Sequence, residues 1–110
     1  MNPNTLEALQ QWYLAQCDGD WEHSFGVSIT NLDNPGWSLD IDLTGTALMS
    51  QAFAPIQRLE HETEWVSCQR TETQFQGRGG PLMLGELIRI FLRWAESSPP
   101  AATAISPPPS

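Results

Sequence analysis

An acidic segment near the start of the chain holds the residues that most resemble a metal site: Asp18, Asp20, Glu22 and His23. Calcium loops of the EF-hand type need Gly at their sixth position and Glu at their twelfth. Counted from Asp18, these positions hold His23 and Ile29, so the pattern does not fit calcium. Zinc would require more histidine or cysteine ligands than this segment offers. We therefore predict neither a metal site nor a cofactor.

Cys68 is the residue that could act as a nucleophile, in the manner of a small sulfurtransferase. A reactive cysteine needs positively charged surroundings that lower the pKa of its thiol, whereas this chain has 13 acids against five arginines and no lysine. Cys68 also follows Trp65 and Val66 in a predicted strand, not in a glycine-shaped loop. His23 is expected on the inward side of its own strand, hydrogen-bonded within the fold. We predict no catalytic residue and a protein that is not an enzyme, with an enzyme using Cys68 or His23 as the alternative.

Polar side chains alternate with apolar ones along two predicted strands, Trp21–Asn31 and Trp37–Leu43. Since successive side chains of a strand point to opposite faces, this pattern describes a sheet with one packed face and one wet, acidic face. Short hydroxyls and carboxylates lose little entropy on binding, and carboxylates accept paired hydrogen bonds from arginine. The predicted partner-binding residues are Asp20, Glu22, Ser28, Thr30, Asp33, Asn34, Ser38, Asp40 and Asp42.

The turn between these strands decides how they pair. Pro35 and Gly36 fit the central positions of a type II turn, in which Gly accepts a positive φ. A bare two-residue loop would pair Asn34 with Trp37 and would set inward residues against outward ones. A longer loop is therefore predicted. The predicted pairs are Asn31 with Trp37, Thr30 with Ser38, Ile29 with Leu39, Ser28 with Asp40 and Val27 with Ile41.

The other elements surround this hairpin. Helical spacing of apolar residues predicts a first helix over residues 4–17 and a last helix over residues 84–96. Between them we predict strands over Phe53–His61, Trp65–Arg70 and Thr73–Gln76, followed by a loop over Arg78–Pro81. The predicted fold class is α+β: an antiparallel β-meander of about four to five strands, with both terminal helices on one face and the other face exposed.

The composition limits the partners that this chain could bind. Its 110 residues suit one domain, predicted over residues 1–97, and the Pro-, Ser- and Ala-rich residues 98–110 are predicted to be a disordered tail. A net charge of −8 disfavours nucleic acid and anionic membranes and favours a basic partner. The sequence shows no signal peptide, no membrane span and too few cysteines for a disulfide scaffold, so we predict a cytoplasmic protein.

Three segments of the chain resemble the immunity protein 53 family of bacterial polymorphic toxin systems. They read QWYLAQCDGDWEHSFGVSI, TNLDNPGWSLDIDLTGT and GRGGPLMLGELIRIFLRWAE, and in the family's order they span most of residues 6–96. The resemblance implies an α+β protein that protects its producer by binding a cognate toxin, and it implies no established catalytic residues. The expectation is stoichiometric neutralisation of a basic toxin through the acidic sheet face.

Two alternatives to toxin binding stay open at this point. A sulfurtransferase-like enzyme would depend on Cys68, whereas a general protein-interaction module would use the Pro-rich tail as its ligand. The open edges of such a sheet would support either a monomer or a weak homodimer.

Overall fold

The computed structural model describes residues 5–59 and 62–97. It confirms the α+β class, with a five-stranded antiparallel sheet and helices at both ends of the described chain. The helices are α1 (Thr5–Gln16), α2 (Trp21–Ser24) and α3 (Leu84–Glu96), and the strands are β1 (Val27–Leu32), β2 (Gly36–Asp42), β3 (Ile56–Arg58), β4 (Val66–Arg70) and β5 (Gln74–Gly79). None of these helices is long and apolar enough to cross a membrane.

The strand order is β1-β2-β5-β4-β3, which differs from a meander of consecutive neighbours. After β2 the chain crosses to the far edge of the sheet, and β3, β4 and β5 then return until β5 pairs with β2. The glycines of β5 explain its central position, because they leave room for α3. A Cβ at Gly79 would lie 3.2 Å from a methyl carbon of Leu87.

The register of the first hairpin is confirmed at all five predicted pairs, including Ser28 with Asp40 and Thr30 with Ser38. The loop is longer than two residues, as predicted, and covers residues 33–35. The predicted type II turn is wrong, since Gly36 is not among the glycines with a positive φ. A Cβ at Gly36 would instead collide with the carbonyl oxygen of Gly79. This position therefore requires glycine because another strand approaches closely.

The predicted start of the first strand at Trp21 is wrong. The residues from Trp21 to Ser24 form α2, and β1 begins at Val27. A carboxylate oxygen of Asp18 accepts hydrogen bonds from the backbone N–H groups of Asp20 and Trp21, both at 2.9 Å, and so closes a turn ahead of α2. The indole of Trp21 is buried and donates to the carbonyl oxygen of Thr44. His23 is consequently exposed on α2 and not on the inward side of a strand.

Other element boundaries also differ from those predicted. The predicted loop Arg78–Pro81 begins inside β5, and β3 is much shorter than the predicted strand Phe53–His61. The last helix matches its predicted range. The predicted disordered tail lies outside the described residues, as does the predicted helix start at residue 4.

One face of the sheet carries the core. α3 packs against β2 and β5, and α1 packs against α3. The rings of Trp12 and Phe91 join the two helices edge to face with centroids 4.9 Å apart, and Phe91 meets Phe75 of the sheet at 5.3 Å. Aromatic pairs in this arrangement contribute about 0.5–1.5 kcal/mol beyond the burial of their area. Both terminal helices therefore cover the same face, and the opposite face is exposed.

Candidate protein-binding surface

The exposed side of the sheet, called the open face here, presents the alternate residues of all five strands. Its side chains are short hydroxyls, amides and a few charged groups. By register they are Ser28, Thr30, Ser38, Asp40, Asp42, Gln57, Ser67, Gln69, Gln74, Gln76 and Arg78, with Leu32 at the end of β1. Ser38 lies on this side of the sheet but is buried, with 5% of its surface exposed, so it is not available to a partner as predicted. Five of the nine predicted binding residues come together here, on β1 and β2. The glutamines and Arg78 were not predicted to belong to this face, because the sequence indicated only a short strand and then a loop where β5 lies.

The carboxylates of the open face are already engaged within the fold. Asp40 forms an ion pair with Arg78, with 2.8 Å between oxygen and nitrogen. Asp42 accepts one hydrogen bond from the backbone N–H of Gly26 and another from the side-chain amide of Gln74. The face therefore combines two carboxylates with one guanidinium and is less acidic than β1 and β2 alone predict.

Asp20 and Glu22 lie away from the open face, in the turn around α2. The Glu22 carboxylate accepts hydrogen bonds from the backbone N–H groups of Asp18 and Gly19, at 3.0 and 2.9 Å. The pKa of Glu22 is lowered by its own backbone N–H and by those two donors, and that of Asp18 is lowered by the N–H groups of Trp21 and Asp20. The carboxylates of Asp18 and Glu22 therefore stabilise the turn in which they lie. Within the described ranges, no group of three or more His, Cys, Asp or Glu is arranged to hold a metal ion.

Asp33 and Asn34 occupy the turn that ends the first hairpin, beside a recess of about 610 Å³. The recess is lined by Asn34, Pro35, Leu59, Glu62, Thr63, Trp65 and Pro81. By strand alternation Leu59 and Trp65 continue the open face, so this recess lies at one end of that face. We call it the hairpin-end recess.

Sequence reasoning missed Leu59, Glu62 and Trp65 as members of one site. They come together because Gly80 lets the chain before β4 pass close to the end of β5. A Cβ at Gly80 would collide with the carbonyl oxygen of Thr63, and the Gly80 N–H donates to Trp65 at 2.9 Å. The glycine pair after Arg78 is the available signal, but the same pair is typical of a loop, which is what the sequence predicts there.

All five arginines are engaged with groups of the chain itself. Arg58, Arg89 and Arg93 converge on Glu86 with nitrogen–oxygen distances of 2.6, 3.2 and 3.7 Å. Arg70 donates to backbone carbonyl oxygens of the loop after β2 and of the turn after β4, and Arg78 pairs with Asp40. No arginine therefore remains to neutralise Asp33 or Glu62 beside the recess.

Cys68 is confirmed as a strand residue. It is buried in β4 on the helix side of the sheet. Burial raises the pKa of its thiol to about 11, against a smaller lowering by Arg58. At neutral pH this thiol is protonated and shielded from solvent, unlike the reactive thiolates of catalytic cysteines. His23, the other residue of the enzyme alternative, is exposed on α2.

The family model described as immunity protein 53 matches residues 6–96 of the 110-residue chain. The chain therefore belongs to the immunity protein 53 family. No curated protein and no solved structure matches it.

Proposed function

We propose that this member of the immunity protein 53 family neutralises a cognate bacterial toxin by stoichiometric binding in the cytoplasm of its producer. Family membership supports the immunity role, and the open face with its recess supports binding as the mechanism. The net charge of −8 favours a basic protein partner over nucleic acid or an anionic membrane.

The observation that carries the proposal is that the hairpin-end recess continues the open face. Protein interfaces commonly combine a central pocket for a large anchoring side chain with polar surroundings that exclude water. Here Leu59, Trp65 and Pro81 supply apolar walls, and the open face supplies hydroxyls and amides on rigid strands. A standard interface buries roughly 800 Å² per partner, which one face of a small domain is able to supply.

The charges indicate which group of the toxin enters the recess. Glu62 lines the recess and Asp33 lies next to its lining residue Asn34, while every arginine is engaged elsewhere. A cationic toxin side chain would therefore meet carboxylates that none of the five arginines neutralises. Asp40 would contribute differently, because a toxin arginine there must replace or share Arg78. The acidic part of the proposed interface thus shifts from the centre of the sheet to its hairpin end.

Binding without catalysis is the mechanism that this geometry favours. A small immunity protein would neutralise its toxin by covering the toxin's active surface, which requires complementarity but no reactive group. Cys68 is buried and protonated, as expected of a core residue and not of a reactive group. We therefore propose that neither Cys68 nor His23 takes part in neutralisation.

The test is a calorimetric titration against the candidate toxin domain encoded beside this protein, at low and high salt. We expect one-to-one binding that weakens with salt, and Glu62→Lys should weaken it about tenfold or more. Glu72→Lys is the matched control, since it makes the same charge change in an exposed turn outside the recess. Equal affinities for the two variants would show that the recess does not bind the toxin. No binding by a folded sample would contradict the proposed function for that toxin.

A further inference from the structure

The two edges of the sheet differ in how well they are protected from pairing with another strand. Natural edge strands avoid such pairing by being short or by carrying charges or proline. β3 has three residues, follows Pro55 and ends in Arg58. β1 has six residues, of sequence VSITNL, with no charge and no proline. β1 is therefore an unprotected edge, suited to pair with a further strand.

The hydrogen bonds between β1 and β2 show which backbone groups of β1 are left unpaired. The N–H of Asp42 donates to the carbonyl oxygen of Gly26, so Gly26 faces β2. In an antiparallel pair the hydrogen-bonded residues alternate. The N–H and C=O groups of Val27, Ile29 and Asn31 consequently point away from the sheet, where no strand of the described chain pairs with them.

An apolar groove runs beside this edge, between β1 and α1. It has a volume of about 340 Å³ and is lined by Leu6, Leu9, Gln10, Tyr13, Gly26, Val27 and Ile29. On α1, Gln10 and Leu14 lie four residues apart and therefore on one side of the helix. Leu14 thus lies on the same side of α1 as the groove-lining Gln10, and it is exposed. The other side of α1 packs on α3 through Trp12, so this helix presents apolar residues in two directions.

This surface is nearly neutral in a strongly acidic protein. β1 has no charged residue, and Glu7 is the one charged residue of α1. A cationic toxin would find little electrostatic complementarity here, whereas a second copy would bring the same nearly neutral surface with little repulsion at the contact itself. This scarcity of charge favours self-association over contact with a basic partner.

We propose that the β1 edge and the adjoining side of α1 form the interface of a homodimer. The two β1 strands pair antiparallel about a two-fold axis at Ile29, so that Ile29 faces its counterpart. Val27 then faces Asn31 of the second copy, and Ser28 faces Thr30 on the open-face side. All three outward-facing residues of each strand find partners in this register. The two sheets become continuous, and the α1 helices flank the axis over the groove.

This proposal does not rest on the proposed toxin-binding function. The dimer uses the edge of the sheet and leaves the open face and the hairpin-end recess accessible. It would join two toxin-binding surfaces side by side in one continuous sheet.

The test is sedimentation velocity on the full chain over a range of concentrations. We expect a reversible dimer. Ile29→Arg and Ile29→Glu should each raise its dissociation constant about 100-fold or more, because like charges would face each other at the axis. A mixture of the two variants should form a heterodimer, since the opposite charges then meet. A monomeric wild-type chain, or a mixture that stays monomeric while both variants are folded, would overturn the proposal.

A second pair of variants keeps the test valid if substitution at Ile29 impairs folding. Leu14 and Leu82 are similarly exposed, at 69% and 74%, but Leu82 lies between β5 and α3, outside the groove. Leu14→Glu should weaken the dimer, whereas Leu82→Glu should not. Equal effects of the two substitutions would overturn the proposed interface. A monomeric protein whose toxin binding is lost in Ile29→Arg would assign the edge to a toxin strand and would also overturn the dimer.

Discussion

The carboxylate of Asp40 lies 2.8 Å from the guanidinium of Arg78, across the two adjacent strands β2 and β5 of the sheet. This ion pair lies on the open face and is partly exposed, so its contribution to stability is about 0–1 kcal/mol. Its larger consequence is electrostatic, because Arg78 neutralises one of the two acids that the open face carries.

Substitutions at these two positions should change toxin binding in opposite directions. Asp40→Lys places two cations side by side and should slow association with a basic toxin, with a weaker dependence on salt. Arg78→Gln leaves the Asp40 carboxylate available and should speed association. Association rates from surface plasmon resonance at two salt concentrations would test this. Unchanged kinetics in both variants would place the toxin away from the open face.

Glu86 should make the stability of the fold depend on pH. Burial raises its pKa, but hydrogen bonds from Arg58 and Arg89 outweigh this, and the net pKa lies below its ordinary value of 4.5. Because the folded-state pKa is the lower one, this stabilisation is present above about pH 4.5 and is lost as the pH falls through the folded-state pKa. Glu86→Gln should therefore lower the free energy of unfolding by about 1 kcal/mol at pH 7.

The control for this prediction is Glu96→Gln, which removes an exposed acid from the same helix. Urea denaturation of the wild type and of both variants, at pH 7 and at pH 3, would give the six free energies needed. The difference between Glu86→Gln and the wild type should shrink at the lower pH. A difference of equal size at both values would show that lost packing, and not the carboxylate charge, causes the effect.

Gly36 and Gly26 offer a matched test of why the first hairpin contains its glycines. Gly36→Ala should destabilise the fold by about 2 kcal/mol, because the new Cβ meets the backbone carbonyl of Gly79, which cannot move aside freely. At Gly26 no atom lies within 4 Å of an added Cβ and φ is not positive, so Gly26→Ala should change stability little. Midpoints of urea denaturation compare the two directly, and equal midpoints would refute the close approach.

The parts of this fold that could be predicted from sequence are those determined by alternation and spacing. The register of β1 with β2 follows from the side-chain alternation along both strands, and α3 follows from its apolar stripe. α2 could not be recognised, because Trp21 and Phe25 continue the strand alternation while Asp18 closes a turn instead. Local hydrogen bonds overrode the pattern there.

Only the part of the candidate site that lies on the first hairpin could be predicted from the sequence. Residues on β1 and β2 share the open face because one hairpin carries them. The recess joins the turn after β1, the segment around Trp65 and the end of β5, and its formation depends on the strand order. The same arrangement brings other backbone close to Gly36 and Gly80, where only glycine fits. Glycines look alike in sequence whether they serve a flexible loop or a close contact.

Cys68 allows binding to be distinguished from catalysis. Its buried thiol has a pKa of about 11, so it should resist iodoacetamide at pH 8 in the folded protein, whereas the partly exposed Cys17 should react. Both cysteines should react in urea, which serves as the control for reagent access. Mass spectrometry of the alkylated peptides would measure this. Rapid modification of Cys68 in the folded state would contradict the assignment of this thiol to the core.

The variant Cys68→Ala tests in a protection assay whether neutralisation depends on binding or on catalysis. The substitution removes a single buried sulfur atom and so leaves a small cavity, and we expect a loss of about 1 kcal/mol in stability. Cells that carry this variant should remain protected from the toxin, since stoichiometric binding needs no thiol. The matched measurement is the calorimetric affinity of the purified variant for the toxin domain. If affinity were retained and protection lost, neutralisation would require chemistry at Cys68, and the enzyme alternative would replace binding as the mechanism.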